Sequence, residues 1–207
     1  MDPLSLADHG PVIPVIVIDA LAAAVPLARA LVEGGVRVLE ITLRTSTALR
    51  AIAAIARAVP EAIVGAGTVR SAADVQAALD AGCRFAVSPG YTHSIGRACA
   101  ERGLALLPGV ATASEVLHAT ADGHRFLKFF PAAAAGGVPM LKALAGPFAD
   151  VLFCPTGGID LVSAPPYLAL PNVRVVGGSW LTPADAVAAH DWPRIMRLAR
   201  AAGALRA

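Results

Sequence analysis

Short apolar runs rich in Val, Ile and Leu alternate along the chain with longer segments in which apolar residues recur every three or four positions. The runs are short enough for buried strands, and the longer segments begin near Asp, Ser or Thr and end near Gly or Pro, as helices do. Strands are predicted at residues 12–18, 36–43, 62–69, 85–88, 104–110, 126–130, 151–154 and 173–176. Helices are predicted at residues 20–33, 47–59, 71–82, 93–102, 112–123, 138–144, 167–170 and 183–201.

The strict alternation of strand and helix predicts a parallel sheet that is covered by helices. Eight such units in succession favour an α/β fold of the closed (β/α)8 TIM barrel type, and the lack of a linker predicts one domain over residues 1–207. The alternative is an open doubly wound sheet, which usually carries a glycine-rich turn after its first strand. Asp19 and Ala20 follow that strand here, and Gly65-Ala66-Gly67 lacks the third glycine of a dinucleotide motif.

The composition narrows the possible functions. The 207 residues carry a formal net charge of +2 and few aromatic side chains, which argues against a nucleic-acid partner. Every apolar run is interrupted well before the roughly 18 residues that a membrane-spanning helix needs, so no membrane association is expected. The start of the chain lacks signal-peptide features and the three cysteines are scattered, which predicts a cytoplasmic protein with reduced thiols. The five histidines are dispersed, so no metal site is expected.

Lys128 lies in the middle of the apolar run at residues 126–130, and the chain has only two lysines. Burial favours the neutral form of an amine, and a neutral amine is a nucleophile toward carbonyl carbon atoms. Lys128 is therefore a candidate for forming a Schiff base. The alternative is a lysine at a strand end whose stem is packed and whose head reaches water.

The second predicted strand places Glu40, Thr42 and Arg44 on one face, because side chains alternate along a strand. Their apolar neighbours should face the helices, so Glu40 and Arg44 are predicted to point into the barrel, with Arg44 nearer the mouth. An amine to condense with a ketone, a carboxylate to move protons and an arginine to hold a substrate carboxylate are the groups that carbonyl chemistry needs. The alternative is a buried ion pair that only fills the barrel.

Two glycine pairs end the last two predicted strands, in Thr156-Gly157-Gly158 and Gly177-Gly178-Ser179. Adjacent glycines leave backbone N–H groups open, and such groups bind phosphate. The loops after the seventh and eighth strands are the usual phosphate position in this type of barrel. A phosphorylated small molecule is therefore the expected ligand.

Motifs spread over nearly the whole chain carry a family resemblance. They lie at residues 39–45 (LEITLRT), 65–68 (GAGT), 88–90 (SPG), 107–109 (LPG), 128–132 (KFFPA), 154–158 (CPTGG) and 177–180 (GGSW). Together they resemble the 2-keto-3-deoxy-6-phosphogluconate (KDPG) and KHG aldolase family. The resemblance implies a metal-independent, cofactor-free class I aldolase of the Entner–Doudoroff pathway, usually a homotrimer. Such an enzyme cleaves 2-dehydro-3-deoxy-6-phosphogluconate to pyruvate and glyceraldehyde 3-phosphate.

The resemblance also implies roles for individual residues. Lys128 matches the Schiff-base lysine, and Glu40 matches the carboxylate that transfers protons. The residues that match the pyruvate end of the site are Arg44, Thr68, Pro89 and Phe130. The residues that match the phosphate and sugar end are Thr156, Gly157, Gly158, Gly178 and Ser179.

Several alternatives stay open at this point. The substrate could be 4-hydroxy-2-oxoglutarate or the galactonate epimer (KDPGal) rather than KDPG. Glu40 could also act as the base of a sugar-phosphate isomerase or epimerase on the same barrel, or the chain could only bind a phosphosugar. Two features depart from the family pattern or lack an assignment: the alanines at 132–135 replace residues that are often polar, and Asp19 stands at the mouth.

Overall fold

The computed structural model describes residues 2–205 as strands and helices in alternation. The strands are β1 (Val12–Ile16), β2 (Val38–Thr42), β3 (Ile63–Gly67), β4 (Phe85–Val87), β5 (Ala105–Leu107), β6 (Gly109–Val110), β7 (Phe126–Phe129), β8 (Leu152–Pro155) and β9 (Val176–Gly178). The helices are α1 (Ala24–Glu33), α2 (Ala48–Ala58), α3 (Ala72–Asp80), α4 (His93–Glu101), α5 (Ala113–Ala121), α6 (Gly137–Ala145), α7 (Ala164–Leu168), α8 (Ala184–Ala188) and α9 (Trp192–Gly203). Two 3-10 helices precede α1, at Pro3–His9 and Leu21–Ala23.

The strands are all parallel and curl into a barrel. One sheet has the order β5-β4-β3-β2-β1-β9, and the other has the order β6-β7-β8. A parallel bridge between Thr156 and Gly177 joins β8 to β9. At the opposite seam, only Pro108 separates β5 from β6. The predicted barrel of strand-and-helix units is therefore confirmed.

Pro108 explains why the strand predicted at 104–110 is divided into β5 and β6. A proline has no N–H group to donate to a sheet, so the ladder is interrupted at this residue. The Pro108 carbonyl still accepts a hydrogen bond from the Lys128 N–H at 2.8 Å. Although the ladder is interrupted at Pro108, β7 stays hydrogen-bonded to the barrel through the Lys128 N–H.

The end of the barrel opposite the mouth is closed by the first 3-10 helix, Pro3–His9, which the apolar pattern did not predict. Leu6 and Ala7 are buried in one cluster with interior strand residues such as Ile13, Phe85 and Leu107. The Asp2 side chain accepts a hydrogen bond from the Leu4 N–H and caps this helix. Seven residues offer too few positions to show a helical periodicity, which is why this helix escaped the sequence pattern.

The prediction at the end of the chain needs two corrections. The helix predicted at 183–201 is divided into α8 and α9, because the chain turns at His190, whose φ of 56° is left-handed. The strand predicted at 173–176 begins later, at Val176, and Val173 contributes only an isolated bridge. Gly177 and Gly178, predicted to follow the strand, belong to it.

The larger core lies between the sheet and the helices, and it includes Leu39 and Ile41 of β2. The intervening residue Glu40 is paired in register with Val15 of β1 and Gly65 of β3. Glu40 therefore points to the barrel interior, as the alternation of β2 predicts. Over residues 2–205, no helix is long and apolar enough to cross a membrane.

Candidate active site

Lys128 and Glu40 form a buried pair inside the barrel. The Lys128 Nζ donates a hydrogen bond to the Glu40 Oε1 at 3.2 Å. The two residues are only 5% and 3% exposed. They are 88 positions apart in the sequence and meet because β2 and β7 turn the same interior face toward each other. The alternative of a lysine with its head in water is therefore wrong.

The surroundings of the amine are mostly apolar. The Nζ lies 5.2 Å from the centre of the Phe130 ring, and Phe126 lies one pleat deeper on the same face of β7. Cys154 is the register partner of Lys128 on β8. Burial raises the pKa of the Cys154 thiol to about 12, so the thiol stays protonated and adds no negative charge beside the amine.

Gly67 makes the space that the Glu40 side chain occupies. A Cβ atom at Gly67 would lie 2.7 Å from the Cγ of Glu40 and closer still to its Oε1. Any larger residue would therefore push the carboxylate away from its present position. Sequence reasoning treated this glycine only as part of a weak dinucleotide motif and of the motif at 65–68 that carries the family resemblance. The sequence contained a signal for this role, because Gly67 lies in the strand that follows the strand of Glu40, and consecutive strands of a barrel are neighbours.

Arg44 and Thr68 lie at the mouth above this pair. The Arg44 Nε donates a hydrogen bond to the Thr68 Oγ1 at 3.4 Å, and the Arg44 side chain is exposed. Thr68 has a left-handed φ of 62°, which is costly for a β-branched residue. This geometry places a guanidinium and a hydroxyl side by side at the rim, where a carboxylate could bind both.

Pro89 lies at the rim after β4, where its backbone packs closely against the backbone of Gly109. We call this contact the Pro89 corner. A Cβ atom at Gly109 would overlap the Pro89 backbone, so only glycine permits this contact. The buried Ser88 hydroxyl accepts a hydrogen bond from the Gly109 N–H at 3.4 Å. Gly109 is also the register partner of Lys128, so the Pro89 corner is tied to the strand that carries the amine.

The loop after β8 is built from backbone rather than charged side chains. Gly157 and Gly158 have left-handed φ angles of 103° and 73°. The Ala132 and Ala133 N–H groups donate to the carbonyl oxygens of Thr156 and Gly157 at 2.8 and 3.0 Å. A Cβ atom at Gly158 would lie 2.7 Å from the Ala133 Cβ. The alanine run at 132–135 therefore packs against this loop, and a larger residue at 133 would crowd it.

The end of β9 lies beside this loop. A Cβ atom at Gly177 would overlap the Thr156 side chain, and one at Gly178 would overlap the Trp180 ring. The glycines in β9 thus allow Thr156 and Trp180 to fill the space that side chains would otherwise take. Ser179 follows at the surface, so its hydroxyl and the neighbouring backbone are open.

Asp19 shares a groove with Ser179. The groove has a volume of about 620 Å³ and runs from the end of β1 to α8. Its walls are mostly apolar and include Val15, Val17 and Trp180. Asp19 therefore brings a carboxylate to the same end of the mouth as the β8 and β9 loops. In the part of the chain that the structure describes, no group of three or more His, Cys, Asp or Glu side chains is placed to hold a metal ion.

Together these groups can carry out chemistry on a ketone that bears negatively charged ends. The amine and the carboxylate touch each other in the buried interior, so a proton can pass directly between them. Arg44 stands at one side of the mouth, and the open backbone of the β8 and β9 loops stands at the other. The structure brings all the predicted site residues to this one end of the barrel.

Comparison with known proteins identifies the lineage. Residues 5–198 match the family described as KDPG and KHG aldolase. The KHG/KDPG aldolase of Escherichia coli strain K12 is 54% identical over 198 residues, which are 96% of this chain and 93% of that protein.

Two solved structures are also similar throughout. The KDPG aldolase of Legionella pneumophila, with pyruvate captured as a covalent carbinolamine intermediate, has a TM-score of 0.96 and 46% identity, covering 98% of both chains. The 2-keto-3-deoxy-6-phosphogluconate aldolase of Zymomonas mobilis ZM4, with 3-phosphoglycerate, has a TM-score of 0.95 and 48% identity, covering 99% of this chain and 96% of that one. The family match, the sequence identity and the shared fold agree over nearly the full length, and the chain therefore belongs to the KDPG and KHG aldolase family.

Proposed function

We propose that the chain is a class I aldolase that cleaves 2-dehydro-3-deoxy-6-phosphogluconate to pyruvate and glyceraldehyde 3-phosphate through a Schiff base on Lys128. The observation that carries the proposal is the buried contact between the Lys128 Nζ and the Glu40 Oε1. The captured pyruvate carbinolamine of the Legionella relative supports a covalent route in this family.

The first half of the reaction forms the Schiff base. The neutral amine of Lys128 attacks the C2 ketone of the substrate and gives a carbinolamine. Glu40, directly or through a water molecule, supplies the proton with which the hydroxyl leaves as water, and an iminium remains. The Phe126 and Phe130 rings lie beside the amine on the same face of β7.

The second half breaks the carbon chain. The Glu40 carboxylate takes the proton of the C4 hydroxyl, and the C3–C4 electron pair moves into the iminium. This step releases glyceraldehyde 3-phosphate and leaves the enamine of pyruvate. A proton then adds to C3, and water hydrolyses the resulting iminium to pyruvate and the free amine.

The two ends of the substrate are held at opposite sides of the mouth. Arg44 and Thr68 bind the carboxylate at the pyruvate end, where Pro89 and Phe130 pack beside the pyruvate portion. The phosphate and sugar end is bound by Thr156, Gly157, Gly158, Gly178 and Ser179. The 3-phosphoglycerate in the Zymomonas relative supports a phosphorylated ligand.

A second candidate activity is the cleavage of 4-hydroxy-2-oxoglutarate, which the double name of the Escherichia coli relative favours. We further propose that residues 1–207 form one domain, that the chain works as a homotrimer in the cytoplasm, and that neither a metal nor a cofactor takes part. Cleavage assays with each substrate test the substrate preference, and the same assays with and without EDTA test whether a metal takes part. Sedimentation tests the homotrimer.

The proposed mechanism is tested by trapping with borohydride and pyruvate. A mass adduct should appear on Lys128 and should be lost in Lys128→Ala. Lys142 is the other lysine of the chain and lies exposed on α6, so Lys142→Ala is the matched control and should keep the adduct. Trapping that fails in the unaltered protein, or that survives in Lys128→Ala, would remove the mechanism and favour an isomerase or a binding protein.

A further inference from the structure

Three threonine hydroxyls continue the contact between β1 and β2 beyond the end of their backbone ladder. The last register pair of these strands joins Ile16 to Ile41. Past this point the Thr42 Oγ1 donates to the Ile16 carbonyl at 3.0 Å. The Thr45 and Thr47 hydroxyls both donate to the Ile18 carbonyl, at 2.7 and 2.6 Å.

Thr47 gives up a local role to make this contact. It stands at the N-cap position of α2, where a threonine hydroxyl normally accepts a hydrogen bond from the first turn of the helix. No such bond is present, because the hydroxyl is turned toward the Ile18 carbonyl in the segment that follows β1. Its second contact in that segment is the Asp19 carbonyl at 3.3 Å. Because Thr47 gives up the usual N-cap hydrogen bond for a contact with a residue that is distant in the sequence, that distant contact is expected to have a role.

Arg44 lies between two residues, Leu43 and Thr45, that hydrogen bonds hold to neighbouring segments of the chain. On one side, the Leu43 N–H donates to the Gly67 carbonyl of β3 at 2.8 Å. On the other side, Thr45 is held to Ile18 and also lies 3.0 Å from the Thr47 Oγ1. The Arg44 side chain itself is exposed and makes only a long 3.4 Å hydrogen bond to Thr68. Its position is therefore set mainly by the backbone on which it stands.

We propose that the Thr45 and Thr47 hydroxyls are positioning groups. They fix the loop at residues 43–47, the Arg44 loop, in the position from which Arg44 binds the carboxylate of the keto acid. The inference rests on the proposed role of Arg44 and deepens it. Two hydroxyls on the Ile18 carbonyl oxygen hold the loop to the segment that follows β1, so the guanidinium meets the carboxylate without first having to order the loop. This arrangement lowers the entropic cost of binding at the pyruvate end.

The central test measures the pyruvate concentration that gives half-maximal borohydride trapping on Lys128. Thr45→Val/Thr47→Val keeps the shape of both side chains and removes both hydroxyls. We expect the half-saturating concentration to rise about tenfold while the trapped fraction at saturation stays the same. Thr45→Ser and Thr47→Ser keep the hydroxyls and should restore the original value. If the double variant does not fold, each single valine variant provides the same comparison.

Two comparisons separate positioning from general stabilisation. In an Arg44→Met background, the valine changes should add no further loss, because the group that they position is gone. Thr120→Val removes a hydroxyl that donates to the Leu117 carbonyl at the end of α5, and it should leave the half-saturating concentration unchanged. An unchanged value in Thr45→Val/Thr47→Val, or an equal loss with and without Arg44, would overturn the inference.

Hydrogen exchange tests the same loop without relying on the proposed function. The backbone amides of Leu43 and Ala48, which donate hydrogen bonds to the Gly67 and Thr45 carbonyls, should exchange at least about tenfold faster in the valine variants than in the unaltered protein. Unchanged exchange would contradict the inference even if trapping fails. Missing adducts in the unaltered protein would instead contradict the proposed function, so the two failures are distinguishable.

Discussion

The two sides of the barrel mouth are built from different parts of the chain. On the catalytic side, where β2 and β7 face each other across the interior, the groups that face the ligand are the side chains of Glu40, Arg44 and Lys128. On the side of β8 and β9, the loops present glycine backbone at Gly157, Gly158 and Gly178. The first side is held by side-chain contacts across strands, and the second is shaped by glycines that leave room for Thr156 and Trp180.

This difference follows from what each side has to do in the proposed reaction. Making and breaking covalent bonds requires an amine and a carboxylate at a fixed separation, which only rigid side chains on strands supply. Binding a phosphate requires several converging donors, which the backbone supplies once side chains are absent. Changes on the first side should therefore lower the rate of the chemistry, and changes on the second should lower the affinity for the phosphorylated end.

Glu40→Gln should have the largest effect of these changes. The amide keeps the size of the side chain but cannot take a proton, so turnover should fall by about 10²- to 10⁴-fold. Trapping with pyruvate should still label Lys128, although more slowly. Steady-state cleavage and trapping measured on the same sample check both statements, and normal turnover would show that Glu40 has no part in the chemistry.

Gly67→Ala should come next, because its Cβ would displace the Glu40 side chain. A shift of this carboxylate by about 1 Å should lower kcat by about 10²-fold with a smaller change in KM. Gly203→Ala is the matched control, since a Cβ there meets nothing within 4 Å. Equal rates for Gly67→Ala and Gly203→Ala would mean that the position of Glu40 is not critical.

Gly178→Ala should affect the other side of the mouth. The added Cβ would push the Trp180 ring and the neighbouring backbone donors out of place. The loss of one or two charge-assisted hydrogen bonds should raise the KM for the phosphorylated substrate by about 10- to 100-fold. Half-saturating pyruvate in the trapping assay should not change. A matching loss of pyruvate trapping would break the division between the two sides.

Asp19→Asn should have the smallest effect, and it should be favourable. The Asp19 carboxylate lines the same groove as Ser179, so it opposes a phosphate group at that end of the mouth. Removing one negative charge at a solvent-exposed site should lower the KM for the phosphorylated substrate by about two- to fivefold. The effect should shrink at high salt and be smaller for 4-hydroxy-2-oxoglutarate, whose far end carries a singly charged carboxylate in place of a phosphate.

The alternation of apolar and polar residues was enough to predict much of the site. A strand period of two placed Glu40 and Arg44 on one face, and a lone lysine in an apolar run marked Lys128. The repeated strand-and-helix pattern predicted the barrel, and the barrel then predicted which strand ends meet. These inferences succeeded because they depend on periods and residue types that neighbouring positions along the chain display.

Other features depend on contacts between residues that are distant in the sequence. Periodicity predicted that Glu40 and Lys128 share the interior, whereas their 3.2 Å contact is set by how β2 and β7 curve toward each other. The need for glycine at 67 and 177 arises from the Glu40 and Thr156 side chains, and Thr47 leaves its helix uncapped for the Ile18 carbonyl that follows β1. The sequence by itself thus determined which residues face the interior. Only the tertiary structure decided which of them touch, because packing distances depend on elements that are far apart along the chain.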